Sequence, residues 1–126
     1  MLKRGLLALI GLLNLANGVK MLVDGRNWYD TIPGVPDTGP YNPHFVEDIG
    51  LAFIVAGCGL LAAAWRPKFW PAALTGAAFL TAHAGLHLVG IAQGQDHHAA
   101  LDVGLIVAPS LIALWAALPS KEARDA

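Results

Sequence analysis

Residues 69–92 read FWPAALTGAAFLTAHAGLHLVGIA and contain no Asp, Glu, Lys or Arg. A helix that crosses a membrane needs about 20 predominantly apolar residues, and this stretch is long enough to supply them. Three further stretches of similar length and composition cover about residues 5–23, 47–65 and 99–118. The sequence therefore predicts four membrane-spanning helices.

The composition of the chain supports the same class of protein. Hydrophobic residues make up 56% of the 126 residues and charged residues 13%, about half the charged fraction of an average soluble domain. A soluble bundle this small, built from helices that are apolar on all sides, would expose too much apolar surface to water. We therefore predict an all-α protein, an integral membrane four-helix bundle that forms one domain over residues 1–126.

Charge and cysteine content narrow the function further. The net charge is −1 and no run of basic residues occurs, which argues against a nucleic-acid partner. Cys58 is the only cysteine, so no intrachain disulfide can form. Its position in the middle of a span predicts a small buried apolar residue.

The lysines and arginines predict the orientation of the spans. Most of them lie before the first span, between the second and third, or after the fourth: Lys3, Arg4, Arg66, Lys68, Lys121 and Arg124. All these positions fall on one side, which the positive-inside rule makes cytoplasmic. We expect a multi-pass protein of the plasma (inner) membrane with both termini in the cytoplasm. Residues 1–18 could also be read as a cleaved secretory signal, but the apolar pattern continues to Val23, which favours a retained first span.

A long loop, residues 25–46, joins the first two spans on the predicted extracytoplasmic side. It contains four prolines and several aromatic residues, and it is too apolar for a flexible linker. We expect it to form an ordered lid over the outer end of the bundle. Near its end, Asn42 is a good helix N-cap and Pro43 a good first helical residue, which predicts the start of a helix there.

Three pairs of polar residues four positions apart lie at the outer ends of the predicted spans: His44/Asp48, His83/His87 and His98/Asp102. On a helix, this spacing puts both members of a pair on one face, one turn apart. From a start near Phe69, a rise of about 1.5 Å per residue brings His83 and His87 to the outer part of a hydrocarbon layer about 30 Å thick. The second and fourth spans begin on that same side, so we expect all three pairs to share one layer.

The leading hypothesis is a metal site in this layer. A carboxylate inside a membrane costs about 2.5–3.5 kcal/mol on insertion scales, so it is expected to face a partner or a cavity. Two histidines four apart can hold one ion, and bundles also build carboxylate–histidine sites from facing helices. Nitrogen and oxygen donors suit a transition metal such as Zn, Fe, Mn or Cu(II). The candidate ligands are His44, Asp48, His83, His87, His98 and Asp102.

Further polar residues at the same end form a candidate secondary network: Asn14, Asn17, Lys20, Asp24 and Glu47. Each also has a purely structural interpretation. The two asparagines can form hydrogen bonds between helices, and Lys20 can pair with Asp24 while its ammonium group reaches toward the interface. Glu47, in the first turn of a helix, can interact favourably with the helix dipole.

Several functions remain open on the sequence alone. The leading one is a metal-dependent or redox role, and the alternative is a metal-free transporter in which histidine and aspartate couple transport to protonation. A third is an accessory subunit, docked on a larger membrane protein or assembled as a homo-oligomer through faces rich in small residues. A fourth is an enzyme that holds a lipid or quinone under the lid, with histidine and aspartate as acid and base.

Part of the chain resembles the DoxX-like small membrane proteins. The shared features are four short spans with both ends inside, a glycine after the first span (Gly25), an acidic start to the second (FVEDIG, residues 45–50) and a glycine-rich body (GCGLL, residues 57–61). The resemblance covers about the first half of the chain. It implies the four-helix layout and carries over no functional residue.

Overall fold

The computed structural model describes residues 1–94 and 98–119, which form helices and turns with no strand among them. The α-helices of this part of the chain are α1 (Leu2–Val23), α2 (Gly25–Thr31), α3 (Pro43–Trp65), α4 (Trp70–Ala92), α5 (Ala99–Asp102) and α6 (Ala108–Ala117). The other elements are two 3₁₀ turns, Val35–Thr38 and Pro67–Phe69, and a π-helical segment, Val103–Val107. The all-helical prediction is confirmed.

Four stretches are long and apolar enough to cross a membrane: Leu2–Val23, Pro43–Trp65, Pro67–Ala92 and Ala99–Ala117. They match the four spans that the sequence predicted. The second helix begins at Pro43, ahead of the span predicted from residue 47, because Asn42 caps it. The Asn42 side chain accepts a hydrogen bond from the backbone N–H of Phe45 (3.2 Å), as expected of an N-cap.

Helices α1 and α3 pack antiparallel through opposed glycines. A Cβ atom built on Gly18 would lie 2.4 Å from the carbonyl oxygen of Gly50, and one on Gly57 would lie 2.7 Å from the carbonyl oxygen of Gly11. Both distances are well inside van der Waals contact. The two backbones therefore touch, and a side chain at either position would force the helices apart.

Helix α4 approaches α3 in the same way. A Cβ added to Gly76 would lie 2.7 Å from the carbonyl oxygen of Ala56. The core between α1, α3, α4 and α6 consists mostly of alanine and leucine, and Leu60 and Ala73 are completely buried within it. Lipid-embedded helices need small residues at their interfaces, because the hydrophobic effect does not drive helices together in lipid and close backbone packing takes its place.

The two ends of the bundle differ in charge. The Lys3 ammonium donates to the carbonyl oxygen of Leu118 (3.1 Å), so the start of α1 lies beside the end of α6. Arg4 donates to the carbonyl oxygens of Ala64 and Trp65 (2.8 and 2.9 Å) at the end of α3. We call this the basic end; it comprises the start of α1, the end of α3, the start of α4 and the end of α6. The opposite end, which carries the loop between α1 and α3, is the lid end.

The loop between α1 and α3 is more regular than predicted. Residues 25–31 form the short helix α2, residues 35–38 form a 3₁₀ turn, and the loop ends at Asn42 instead of residue 46. The abundance of proline and glycine pointed to turns throughout. The helix was missed because its seven residues precede the first of those prolines, Pro33.

Two aromatic residues hold this lid in place. The Trp28 Nε1–H on α2 donates to Asn17 Oδ1 on α1 (2.9 Å). The Tyr29 hydroxyl donates to the carbonyl oxygen of Gly39, and the ring centres of Tyr29 and Tyr41 are 5.3 Å apart. Gly39 has φ +136°, a conformation that glycine adopts without strain. The lid therefore folds both onto itself and onto α1.

The fourth span is continuous but irregular. Helix α5 passes into the π segment, where the backbone N–H of Ala108 donates to the carbonyl oxygen of Val103, and α6 follows. The irregular segment directly precedes Pro109, which has no N–H to continue the hydrogen-bond ladder.

The outside of the bundle carries large apolar side chains, among them Leu13, Val55, Leu86 and Leu105. Cys58 also lies on this outer face, so the expectation of a buried cysteine is wrong. Its neighbours Gly57 and Leu60 face the core, and the helical period then turns Cys58 away from it.

Candidate functional site

Three of the six candidate ligands come together at the lid end. His87 Nδ1–H on α4 donates to the carboxylate of Asp102 at the end of α5. On the other side of the same ring, His87 Nε2 lies 3.3 Å from His83 Nε2, one turn deeper on α4. The result is a linear chain, Asp102–His87–His83, with direct contacts between neighbours.

The protonation pattern of His87 follows from its partner. An ionised carboxylate can only accept hydrogen bonds, so Nδ1 of His87 carries the hydrogen. The neutral imidazole then has its lone pair on Nε2, the nitrogen that faces His83. The Asp102 contact thus fixes which nitrogen of His87 can accept a proton or a metal ion.

Aromatic rings enclose the deep side of the chain. Phe53 on α3 meets the His83 ring edge to face at 5.4 Å between centres, and Phe79 on α4 stacks on it at 6.2 Å. The side chains of His87 and Asp102 are 28% and 14% exposed. The polar chain therefore packs against aromatic rings at His83 and is partly accessible at His87 and Asp102.

Helix periodicity brings the histidines into the bundle. Ala73, Ala77, Leu80 and Ala84 form the buried stripe of α4, and His87 continues it one turn further. Asp102 faces His87 from the fourth span, directly before the π segment. π-helical turns of this kind occur mostly as local features of α-helices and are frequent at functional sites.

The core below this chain is apolar. Among the residues that the structure describes, Ser110 is the buried residue with a polar side chain, and it lies on α6. The remaining core positions of the basic-end half are alanine, leucine and isoleucine. The series of polar contacts therefore stops at His83 and does not continue through the core toward the basic end.

The other three candidate ligands lie apart from this chain. His44 and Asp48 form their own pair on α3 (Nε2 to Oδ2, 3.7 Å), with side chains 85% and 59% exposed. His98 is the N-cap residue of α5 and lies against the lid, where a Cβ added to Gly34 would be 3.4 Å from its Cδ2 atom. Within residues 1–94 and 98–119, no three His, Cys, Asp or Glu side chains form a group arranged to hold an ion.

The secondary polar network is also local. Lys20 pairs with Asp24 (2.5 Å), as their spacing predicted. Asn14 donates to the carbonyl oxygen of Ile10 in its own helix (2.8 Å), instead of linking two spans. Asn17 accepts the lid hydrogen bond of Trp28 described above, and Glu47 is exposed in the first turns of α3.

Sequence reasoning missed two features of the site. It paired Asp102 with His98 because the two residues share a helix, whereas the contact that forms is between helices, with His87. It also gave no role to Phe53 and Phe79, which sit at ordinary core positions of α3 and α4. The contacts of Asp102 with His87 and of Phe53 with His83 depend on how two helices face each other, which spacing within one helix does not reveal. Phe79 lies four residues before His83 on α4, so its contact with His83 could have been predicted from spacing alone.

No family model, no curated protein and no solved structure matches this chain. The resemblance to DoxX-like proteins therefore stays a prediction.

Proposed function

We propose that this is a multi-pass membrane protein that binds one transition-metal ion between the Nε2 atoms of His83 and His87, in a metal-dependent or redox role. The lid end faces the extracytoplasmic side and the basic end faces the cytoplasm. The observation that carries the proposal is the pair of facing Nε2 atoms, with Asp102 bonded to the opposite nitrogen of His87.

The separation of the two nitrogens suits a shared ion. Imidazole nitrogens bind zinc at about 2.0–2.1 Å, so two of them at a tetrahedral angle lie about 3.3 Å apart. The Nε2 atoms of His83 and His87 are 3.3 Å apart. The i,i+4 spacing on α4 gives this separation without any movement of the backbone.

Asp102 supports the same interpretation. Metal-bound histidines almost always donate their second N–H to a carboxylate, carbonyl or water, which fixes the ring and raises its basicity. The bond from His87 Nδ1–H to Asp102 is such a contact. Asp102 is thus proposed as a positioning residue and not as a direct ligand.

Two protein ligands leave coordination positions for water or a substrate. Open positions are typical of catalytic sites, whereas structural zinc sites have four protein ligands. Neutral imidazole donors suit Zn, Cu, Fe or Ni in general. Such an exogenous ligand would enter from the lid end, where His87 and Asp102 are partly exposed.

The test is elemental analysis of detergent-purified protein from which any polyhistidine tag has been removed. We expect about one ion per chain in the wild type and background levels in the double variant His83→Ala/His87→Ala. The matched control, His44→Ala/Asp48→Ala, removes the exposed pair on α3 and should keep the ion. Circular dichroism on all three proteins verifies that they are equally helical.

Two outcomes would contradict the proposal. One is negligible metal in the wild type after growth and purification with added zinc, iron, manganese or copper. The other is loss of the ion in the His44/Asp48 control but not in the His83/His87 variant.

The second candidate is a metal-free proton-binding site in the same three residues. Its support is that 3.3 Å also allows a hydrogen bond from His83 Nε2–H to the lone pair of His87 Nε2. The apolar core beneath the chain argues against a continuous proton path through one bundle. Proton uptake by liposomes that contain metal-free wild type, abolished in His87→Ala, would favour this candidate over the metal site.

A further inference from the structure

The described charges are distributed unevenly between the two ends of the bundle. All carboxylates in residues 1–94 and 98–119 belong to the lid end: Asp24, Asp30, Asp37, Glu47, Asp48 and Asp102. Lys20 and Arg26 lie there as well, and each is paired with an acid four residues on, at 2.5 Å and 2.7 Å. The remaining described cations, Lys3, Arg4, Arg66 and Lys68, are at the basic end, with no carboxylate partner in that part of the chain.

Backbone carbonyls and aromatic rings hold these four cations. Arg4 and Lys3 donate to the carbonyl oxygens that end α3 and α6, as described above. The Arg66 guanidinium lies over the Trp65 ring at 4.2 Å, and the Lys68 ammonium lies 5.6 Å from the centre of the Phe69 ring. Neither ring contact provides an oxygen acceptor, so the N–H donors of Arg66 and Lys68 remain available to an anion.

The rings mark the depth of this end in a bilayer. Trp65 and Phe69 stack at 6.3 Å between ring centres, and Trp115 lies under Lys3 at 4.9 Å. Aromatic residues of this kind gather at the level of the lipid headgroups. Cations beside them are therefore at the depth of the lipid phosphates.

A depression adjoins the cations. Met1, Arg4, Gly5 and Ala64 line a shallow hollow of about 370 Å³. A Cβ built on Gly5 would meet no atom within 4 Å, so a side chain at this position would extend into open space. The hollow combines an apolar wall with a guanidinium, which suits the boundary between the headgroup and the acyl chains of a lipid.

We infer that the basic end binds an anionic phospholipid, with Arg66 and Lys68 on the headgroup phosphate and the hollow beside Gly5 against its glycerol and acyl region. Arg4 contributes those of its N–H donors that are not bonded to the carbonyl oxygens of Ala64 and Trp65. An anionic headgroup is preferred over a zwitterionic one because the four cations of the basic end have no carboxylate partner in residues 1–94 and 98–119 and therefore attract net negative charge. The inference shares with the proposed function only the placement of the helices in a bilayer, and no residue of the His83 site takes part.

The experiment is native mass spectrometry of the full chain, released from detergent after incubation with equal amounts of phosphatidylglycerol and phosphatidylcholine. We expect the wild type to retain phosphatidylglycerol preferentially. A basic residue near an anionic surface is worth about fivefold in affinity, so Arg66→Gln/Lys68→Gln should weaken phosphatidylglycerol binding about 25-fold and leave phosphatidylcholine unchanged.

A second variant tests the hollow without disturbing the bundle. Gly5→Leu should reduce lipid retention several-fold, because its side chain fills the hollow. The matched control is Gly90→Leu at the lid end of α4, where an added Cβ also meets no atom within 4 Å; it should bind lipid like the wild type.

Three results would overturn the inference. They are equal retention of the two lipids by the wild type, unchanged phosphatidylglycerol binding in both Arg66→Gln/Lys68→Gln and Gly5→Leu, and complete displacement of the lipid by inorganic phosphate at low millimolar concentration. The last result would assign the cations to free phosphate. Metal content of the same samples reports separately on the His83 site.

Discussion

Asp102 determines how the polar chain presents its nitrogens. Its carboxylate accepts the Nδ1–H of His87 from a different helix, so the ring of His87 cannot turn its Nε2 atom away from His83. A carboxylate at this depth would be costly without such a partner. The contact therefore gives the Asp102 carboxylate a partner and holds the His87 ring in place.

The first prediction concerns this carboxylate. Asp102→Asn keeps the shape of the side chain and an oxygen that can accept the Nδ1–H bond, but it removes the negative charge. We expect metal affinity to fall about 10- to 100-fold, the usual cost of altering an outer-shell partner. Competition with a chromophoric chelator measures the affinity.

Asp48→Asn is the matched control, since it neutralises an aspartate of the exposed pair on α3. Its metal affinity should equal that of the wild type. If both substitutions weaken binding equally, Asp102 has no special relation to His87 and the assignment is wrong.

Residue spacing predicted part of this site correctly. The i,i+4 rule placed His83 and His87 on one face of a helix, and their rings are indeed neighbours, 4.8 Å apart between centres. The same rule also proposed His44/Asp48 and His98/Asp102. Asp102 joins the site, but through its contact with His87 on another helix, and His44 and Asp48 form a separate exposed pair on α3. Spacing within a helix does not determine which face turns toward which neighbour, so the contact between His87 and Asp102 required the three-dimensional arrangement.

At the scale of the elements, opposed glycines set the register of the two N-terminal spans. Gly11 and Gly18 on α1 are seven residues apart, as are Gly50 and Gly57 on α3, and each glycine of one helix meets one of the other. Two helical turns separate the members of each pair, so the backbones touch twice on the same face. This contact aligns α1 with α3 and positions the lid that joins them.

The second prediction tests this packing. Gly18→Ala puts a Cβ atom 2.4 Å from the carbonyl oxygen of Gly50, which the backbone must relieve by moving apart. Overpacking of this kind costs about 1–3 kcal/mol. The free energy of unfolding, measured by SDS titration in detergent micelles, should decrease by that amount.

Gly85→Ala provides the control on another helix. A Cβ at Gly85 meets no atom within 4 Å, so the substitution should be neutral or stabilise the protein by up to about 1 kcal/mol through helix propensity. A Gly18→Ala protein as stable as Gly85→Ala would show that α1 and α3 do not touch as described.

The elements differ in how far the sequence predicted them. The four long helices follow from hydropathy and length, and the start of α3 follows from the capping chemistry of Asn42 and Pro43. The short helix α2 and the π segment do not, because neither has a periodic pattern long enough to recognise. Helix α2 is linked to α1 by the hydrogen bond from Trp28 to Asn17, a tertiary contact that the local sequence does not reveal.

At the scale of the whole molecule, the distribution of charge predicts how the bundle sits in the membrane. The cations of the basic end lie where helix α1 begins and helix α6 ends. The acids and the lid lie at the other end. By the positive-inside rule, we expect the basic end to face the cytoplasm.

The third prediction tests this orientation with single cysteines on a Cys58→Ser background. Asn27→Cys lies in α2 of the lid and should react with a membrane-impermeant maleimide on intact spheroplasts. Lys68→Cys lies at the basic end and should react only after the membrane is opened. The reverse pattern of labelling would invert the orientation and move the His83 site to the cytoplasmic side.

X-ray absorption at the K edge of the bound metal would show whether His83 and His87 together hold one ion. For the wild type, we expect scattering from two imidazole rings with nitrogens at about 2.0–2.1 Å, and for His83→Ala one ring or loss of the ion. A spectrum unchanged by His83→Ala, or one dominated by sulfur at about 2.3 Å, would show that these two histidines do not hold the ion.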